Sequence, residues 1–157
     1  MSKSLKRVMA ALDAAGAAHD LREMPDSTRT ALAAAEAVGC ELDQIAKSIV
    51  VEGGQSGVLT LFVTAGGNRV STARIADLLG ELTHPAEGRR VREVTGFAIG
   101  GVSPVGHKTP IRSFFDPRLN DFDLVWAAAG TPRHVFGIAP ETLRAICGAT
   151  EAEFTEA

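Results

Sequence analysis

Two hydrophobic rhythms run along this chain. Leu5, Val8, Met9, Leu12 and Ala15 recur at three- and four-residue spacing, which predicts one face of a helix stopped by Gly16. An extended piece from Ala18 to Met24 leads to Pro25-Asp26, and Ser27 or Thr28 is the expected cap of an alanine-rich second helix that Gly39 ends. Leu42 to Ala46 read as one more helical turn. From Lys47 the pattern changes. Ser48-Ile49-Val50-Val51 is largely β-branched, Gly53-Gly54-Gln55-Ser56-Gly57 is a turn, and Val58 to Thr64 is a second apolar run, so a hairpin is predicted.

After a glycine turn at Ala65-Gly66-Gly67-Asn68-Arg69, Ser71 caps a helix through Leu79 that Gly80 closes. A short strand near Glu81 to His84 and a charged helix from Ala86 to Val94 follow. Strand candidates are Thr109 to Phe115, Leu124 to Ala129 and His134 to Ile138, the first two joined by a polar turn around Asp116-Pro117 and Asn120-Asp121. Pro140 opens a last helix that runs to Cys147 and stops at Gly148. Helices and strands mix without strict alternation, which predicts an α/β or α+β class with a mixed sheet. With 157 residues, no repeat and no low-complexity segment, residues 1–157 are expected to form a single domain.

Composition narrows the function classes. The formal net charge is −3, so the chain has no global attraction for a polyanion. An RNA partner must then be held locally, through Lys47 and one basic patch, either Lys3, Lys6 and Arg7 or Arg89, Arg90 and Arg92. The plainer reading of both patches is a solvated helix face. Cys40 and Cys147 lie far apart, and the N-terminal segment is interrupted by Asp13 and reads as an ordinary helix rather than a leader. The expectation is a cytoplasmic protein with reduced thiols and neither membrane nor DNA as partner.

Candidate chemistry concentrates in Gly96-Phe97-Ala98-Ile99-Gly100-Gly101-Val102-Ser103-Pro104-Val105-Gly106-His107. Glycines let backbone approach another group, and Pro104 stiffens the loop and biases Ser103 towards an extended conformation. Such a loop can present N–H groups to a carbonyl or an oxyanion; the alternative is a tight structural turn. It lacks both the GxGxxG spacing and a phosphate-loop Gly-Lys-Ser/Thr. Lys47 stands at the mouth of an apolar strand, where its ammonium either snorkels to solvent or points into a cleft to polarise a carbonyl or pair with a phosphate. His19, His84, His107 and His134 have no metal-ligand spacing, and no cofactor motif is present. His107 and His134 each follow a glycine- and proline-containing turn. No nucleophile elbow occurs, and Ser103 has no base identifiable from sequence, which disfavours a serine or cysteine triad.

Four segments, Gln44-Ile45-Ala46-Lys47-Ser48-Ile49-Val50-Val51, the loop Thr95 to His107, Val125-Trp126-Ala127-Ala128-Ala129-Gly130 and His134-Val135-Phe136, together resemble the YbaK/EbsC (ProX) family of aminoacyl-tRNA deacylases. That family is related to the editing domain inserted in bacterial prolyl-tRNA synthetases. The resemblance implies a compact mixed-sheet α/β fold, partly closed like a barrel, without cofactor or metal. It implies hydrolysis of the ester joining a wrong amino acid to tRNA, with Lys47 as the essential lysine. Gly100, Gly101, Val102, Ser103, Pro104, Gly106 and His107, with Gly130 and His134, then bind substrate. Implied partners are the acceptor end of mischarged aminoacyl-tRNA, chiefly tRNA-Pro with a small wrong amino acid, and a prolyl-tRNA synthetase. Some relatives carry an acidic residue where this chain has Gly130-Thr131-Pro132-Arg133-His134, so Ala, Ser, Thr or a small non-protein amino acid all remain open as the group removed. A non-catalytic module of the same fold, binding the aminoacyl-tRNA or nucleotide end, is the alternative function.

Overall fold

The computed structural model describes residues 2–25 and 30–157. The first helix, α1 (Lys3–Ala14), buries Leu5, Val8 and Leu12, and Ser2 accepts from the Leu5 amide as its cap. β1 (Asp20–Glu23) is followed by α2 (Ala31–Val38), capped by Thr30 and ended at Gly39 with positive φ. The expected cap at Ser27 or Thr28 lies outside the described residues. The turn expected over Leu42 to Ala46 is shorter than that: a 3-10 turn covers Leu42–Gln44, and β2 (Ile45–Gly53) begins at once. Ile45 and Ala46 are drawn into the sheet by parallel pairing with Trp126 and Ala127, a long-range contact that overrides local helical preference.

β2 and β3 (Leu59–Ala65) form the predicted antiparallel hairpin, in register from Ala46↔Ala65 to Glu52↔Leu59. α3 (Thr72–Leu79) is capped by Ser71 and closed by Gly80 as its sequence dictates. β4 (Thr83–Pro85) lies two residues later than expected because it pairs with Val51–Gly53. The Ala86 amide then donates to the Val50 carbonyl, so α4 (Gly88–Thr95) starts beyond it. β5 (Arg112–Phe115) is shorter than predicted, since Lys108 and Thr109 donate back to Thr95 and Val94. A 3-10 turn (Pro117–Asp121), β6 (Val125–Ala128), β7 (His134–Ile138), α5 (Pro140–Cys147) and β8 (Thr150–Glu151) complete the order.

The strands make one mixed sheet in the order β1-β7-β6-β2-β3-β5-β8, with β4 added to β2. β6–β2, β3–β5 and β5–β8 are parallel; the others are antiparallel. β3 is buried along its whole length because both faces are covered. Leu61, Val63 and Ala65 meet α1, α4 and α5 in the larger core, whereas Phe62 packs with Ile75 and Phe154 on the other face. Removing each of the larger of these side chains (Leu61, Val63, Phe62, Ile75 and Phe154) from water contributes about 1.5–3 kcal/mol. A third cluster joins α2 to the sheet through Ala34, Ala35, Ile45, Trp126 and Val135. No helix among the described residues is long and apolar enough to cross a membrane.

Candidate active site

β6 and β4 both pair with the same edge of β2, but at opposite ends. Pairing with β6 covers Ile45 and Ala46, and pairing with β4 resumes at Val51. Between them the edge has no neighbouring strand among the described residues. Backbone direction alternates along a strand, and the Val50 carbonyl faces this edge, where it accepts from Ala86. The N–H and C=O of Ser48 therefore face it too. A cleft of about 430 Å³ opens at this interruption, a size suited to a small ligand. Its wall is mainly apolar and rich in small side chains: Ala31 and Ala34 of α2, Ala46, Ala86, Ala127 and Ala128, with Ile45, Trp126 and Val135. The polar groups on it are few: Lys47, Ser48, Thr30, Thr131 and His134.

Lys47 lines the cleft, and its Nζ donates to the Gly66 carbonyl at 3.1 Å. An ammonium has three donors, and this is the one bond it makes among the described residues, so two are left for a ligand. Burial lowers the lysine's pKa below 10.5 and nearby Arg69 acts the same way, while Asp43 and Asp116 oppose them. The carbonyl that holds Lys47 belongs to a clamped turn. The Gly67 amide donates to Asp43 Oδ1 at 2.7 Å, and Ala65 N–H and Asn68 Nδ2 donate to buried Asp116 at 3.0 and 2.9 Å. Arg118 ties the two acids together, its Nε donating to Asp43 and its amide to Asp116. A Cβ on Gly66 would lie 2.2 Å from the Leu42 carbonyl oxygen, so this approach requires glycine.

The glycine loop divides into a face and a support. Ile99, Gly100 and Val102 line the cleft, with Ile99 66% exposed at its rim. The amides of Gly100 and Val102 have no hydrogen-bond partner among the described residues, whereas that of Gly101 donates to Ala98 within the loop. Gly101, Ser103, Pro104, Gly106 and His107 stand behind the wall, as does Gly130. Gly101 has ordinary φ but abuts Thr131: a Cβ there would sit 2.8 Å from that residue's backbone. Gly130 has φ +94, and its missing Cβ leaves room for the Ser4 carbonyl. The loop, the Gly130–Thr131 turn and the start of α1 thus meet at one seam. Buried Ser103 accepts from the Val105 amide, and the His107 ring donates through Nε2 to the Ser103 carbonyl at 2.7 Å. Burial holds His107 below its ordinary pKa, although that hydrogen bond opposes the shift. These residues brace the loop.

His134 does line the cleft, with Nδ1 2.6 Å from the Thr131 hydroxyl. Ser48 was invisible as a candidate from sequence, although it adjoins Lys47. It lines the cleft, and its Oγ is buried without a hydrogen-bond partner among the described residues. Thr30 and the α2 alanines were missed as well, since nothing local shows that α2 lies across β2 and β6. Neither cysteine lines the cleft; burial raises both thiol pKa values, Cys147 to about 11, which leaves little thiolate.

The chain is similar to known proteins over most of its length. The family model "Aminoacyl-tRNA editing domain" matches residues 25–146. A crystal structure of "a putative trans-editing enzyme for prolyl tRNA synthetase" superposes with a TM-score of 0.92 at 44% identity, covering 100% of this chain and 99% of the other. The YwhH protein of Bacillus subtilis (strain 168) is 30% identical over 80% of this chain and 79% of its own length. The "Putative Cys-tRNA(Pro)/Cys-tRNA(Cys) deacylase EbsC" of Enterococcus faecalis (strain ATCC 700802 / V583) is 25% identical over 77% of this chain and 74% of its own.

Proposed function

The chain belongs to the aminoacyl-tRNA editing domain family, whose trans-editing members deacylate mischarged tRNA, and on that premise we propose that it removes a small wrong amino acid from tRNA-Pro, with residues 1–157 acting as one editing domain. The observation that carries the reading is a half-buried lysine in an apolar, alanine-rich cleft that is also lined by Gly100 and Val102, whose amides have no hydrogen-bond partner among the described residues.

An aminoacyl ester is already activated, so its hydrolysis needs positioning and charge stabilisation more than a strong nucleophile. Water attacks the ester carbonyl, assisted by a hydroxyl of the terminal ribose. A C–O bond to water forms, the bond to the ribose oxygen breaks, and the proton lost by water ends on that ribose oxygen. Lys47 takes the carbonyl oxygen or the terminal phosphate through its two uncommitted donors. The Gly100 and Val102 amides face the developing oxyanion, and the hydroxyl and backbone of Ser48 hold the α-amino end. His134, oriented by Thr131, closes the opposite wall. Gly101, Ser103, Pro104, Gly106, His107 and Gly130 act on substrate by fixing the loop's shape. The alanine-bearing wall, bounded by Trp126, Ile45 and Val135, is the surface on which the amino-acid side chain is sorted by size, small wrong residues being removed and proline spared. A prolyl-tRNA synthetase is the source of such mischarged tRNA and the partner in the cell.

The test is release of amino acid from a panel of mischarged tRNAs, with Pro-tRNA-Pro as the correct substrate. Rapid release of one small residue from tRNA-Pro and none of proline is expected. Release of nothing in the panel, with tight binding of the acylated end, would make the chain a binding module instead.

A further inference from the structure

The sequence offers two basic patches, and the structure separates them. On α4, Arg90 pairs with Glu52 and Arg89 with Glu93, so two of the three cations of that patch are neutralised at short range. On α1, Lys3, Lys6 and Arg7 have no carboxylate partner among the described residues, and neither have Arg92 and Lys108. Two of these five, Arg7 and Lys108, meet at Gly96. Arg7 donates to the Gly96 carbonyl, and a Cβ on Gly96 would touch both the Arg7 guanidinium and the Lys108 stem. Arg92 stands one turn before Gly96 on α4, where its carbonyl accepts from the Gly96 amide as the helix closes. Lys3, Lys6 and Arg7 share one flank of α1 by their three- and four-residue spacing.

This cationic surface is continuous with the mouth of the cleft. Ser4, between Lys3 and Arg7, donates to Gly96 and lies against Gly130, whose neighbour Thr131 lines the cleft; Ile99 and Gly100 follow three and four residues after Gly96. We infer that this surface of α1, Arg92 and Lys108 binds the phosphate backbone of the tRNA acceptor stem while the acylated end occupies the cleft; the inference rests on the deacylase reading above. RNA is favoured over a protein partner by composition. The exposed large apolar residues, Leu32, Val58, Leu78, Leu82, Ile99 and Leu124, all lie off α1 and α4, whereas a protein interface has an apolar centre and a nucleic-acid surface is polar and positive.

The test compares wild type with Lys6→Gln/Arg92→Gln/Lys108→Gln, and with Arg89→Gln as a control on a neutralised site. Substrates are full mischarged tRNA, an acceptor-stem minihelix and an aminoacylated trinucleotide end. For the triple variant, KM on tRNA and minihelix rises roughly tenfold or more at low salt, and the slope of log KM against log salt drops by about 2–3, near one per phosphate contact. KM on the trinucleotide holds, because none of the three residues lines the cleft. Unchanged KM and salt slope on the minihelix would overturn the inference while leaving the deacylase reading intact. So would a defect that emerges only when a synthetase is added, since that marks a protein-binding surface. Failure of the wild type on all three substrates would sink the deacylase reading itself.

Discussion

Replacing Lys47 by methionine separates its chemical role from its structural one. Methionine keeps the apolar stem and removes the charge. The loss on the folding side is one hydrogen bond, Nζ to the Gly66 carbonyl at 3.1 Å, at about 1.5–3 kcal/mol for a charged donor. Against it stands the burial that holds the lysine's pKa below 10.5. The folded state disfavours the charged form, so the wild type is penalised at every pH below the folded pKa, and the penalty fades as pH rises from there to the unfolded value near 10.4. The two effects oppose each other, and the net change in stability at neutral pH should stay within about 1 kcal/mol, roughly 2–4 °C in Tm for a chain of this size. The gain relative to wild type shrinks towards alkaline pH. In catalysis nothing offsets the loss: one charge-stabilising donor is worth about 10²–10³ in kcat. Single-turnover deacylation and thermal melting of the same preparations decide the matter. Turnover within about tenfold of wild type would remove Lys47 from charge stabilisation, and a drop of more than about 10 °C would make it a structural residue.

Gly101→Ala places a Cβ 2.8 Å from the Thr131 backbone and must part the two loops at their seam; deacylation is expected to fall far more than Tm, and a proportional loss of both would return the loop to a purely structural turn. Ser48→Ala removes a buried hydroxyl that has no partner among the described residues and should raise Tm by about 2–4 °C; a lowered Tm would show that the hydroxyl is satisfied in solution. Glu81 accepts from the Ser56 hydroxyl and from the Ser56 and Gln55 amides, with the hydroxyl chief among the causes that depress its pKa. Its contribution is present above the unfolded pKa and lost as pH falls through the folded one, so Glu81→Gln should speed hydrogen exchange in the 53–57 turn at neutral pH and not in acid; equal effects at both would refute the assignment.

Much of this fold was legible because its signals are local. Ser71 and Gly80 bracket α3, and Pro140 and Gly148 bracket α5, since caps act on amides and carbonyls a few residues away. The β2–β3 hairpin was equally plain, because its turn and both strands are contiguous. What stayed hidden depends on partners distant in sequence. The parallel pairing of β2 with β6 moves Ile45 out of a helical turn, and β8 exists because Thr150 and Glu151 meet Phe114 and Phe115. In the site, Lys47 could be picked out as a cation in an apolar strand. The clamp behind it could not, since Arg118 reaches back 75 residues to Asp43. Charge runs alone did not rank the two basic patches; ranking needed Glu52, which comes to Arg90 from across 38 residues.

The interrupted edge of β2 also bears on solubility. A cleft that offers backbone N–H and C=O groups to a ligand offers them equally to any extended peptide, and long bare strand edges recruit other chains. Here the bare stretch begins after Ala46 and ends before Val51, and β6 and β4 block strand addition at both ends. An intruding strand would find too few successive pairs to nucleate. The outer edges are guarded by other means: β1 is four residues long and carries Asp20, Arg22 and Glu23, and β8 is only two residues long. Binding capacity is thus kept in the middle of the sheet, where a small acylated end can enter and a neighbouring polypeptide cannot. Lengthening the notch by detaching β4, for instance with a proline at Glu52, should therefore show itself first as self-association in light scattering, before any loss of secondary structure.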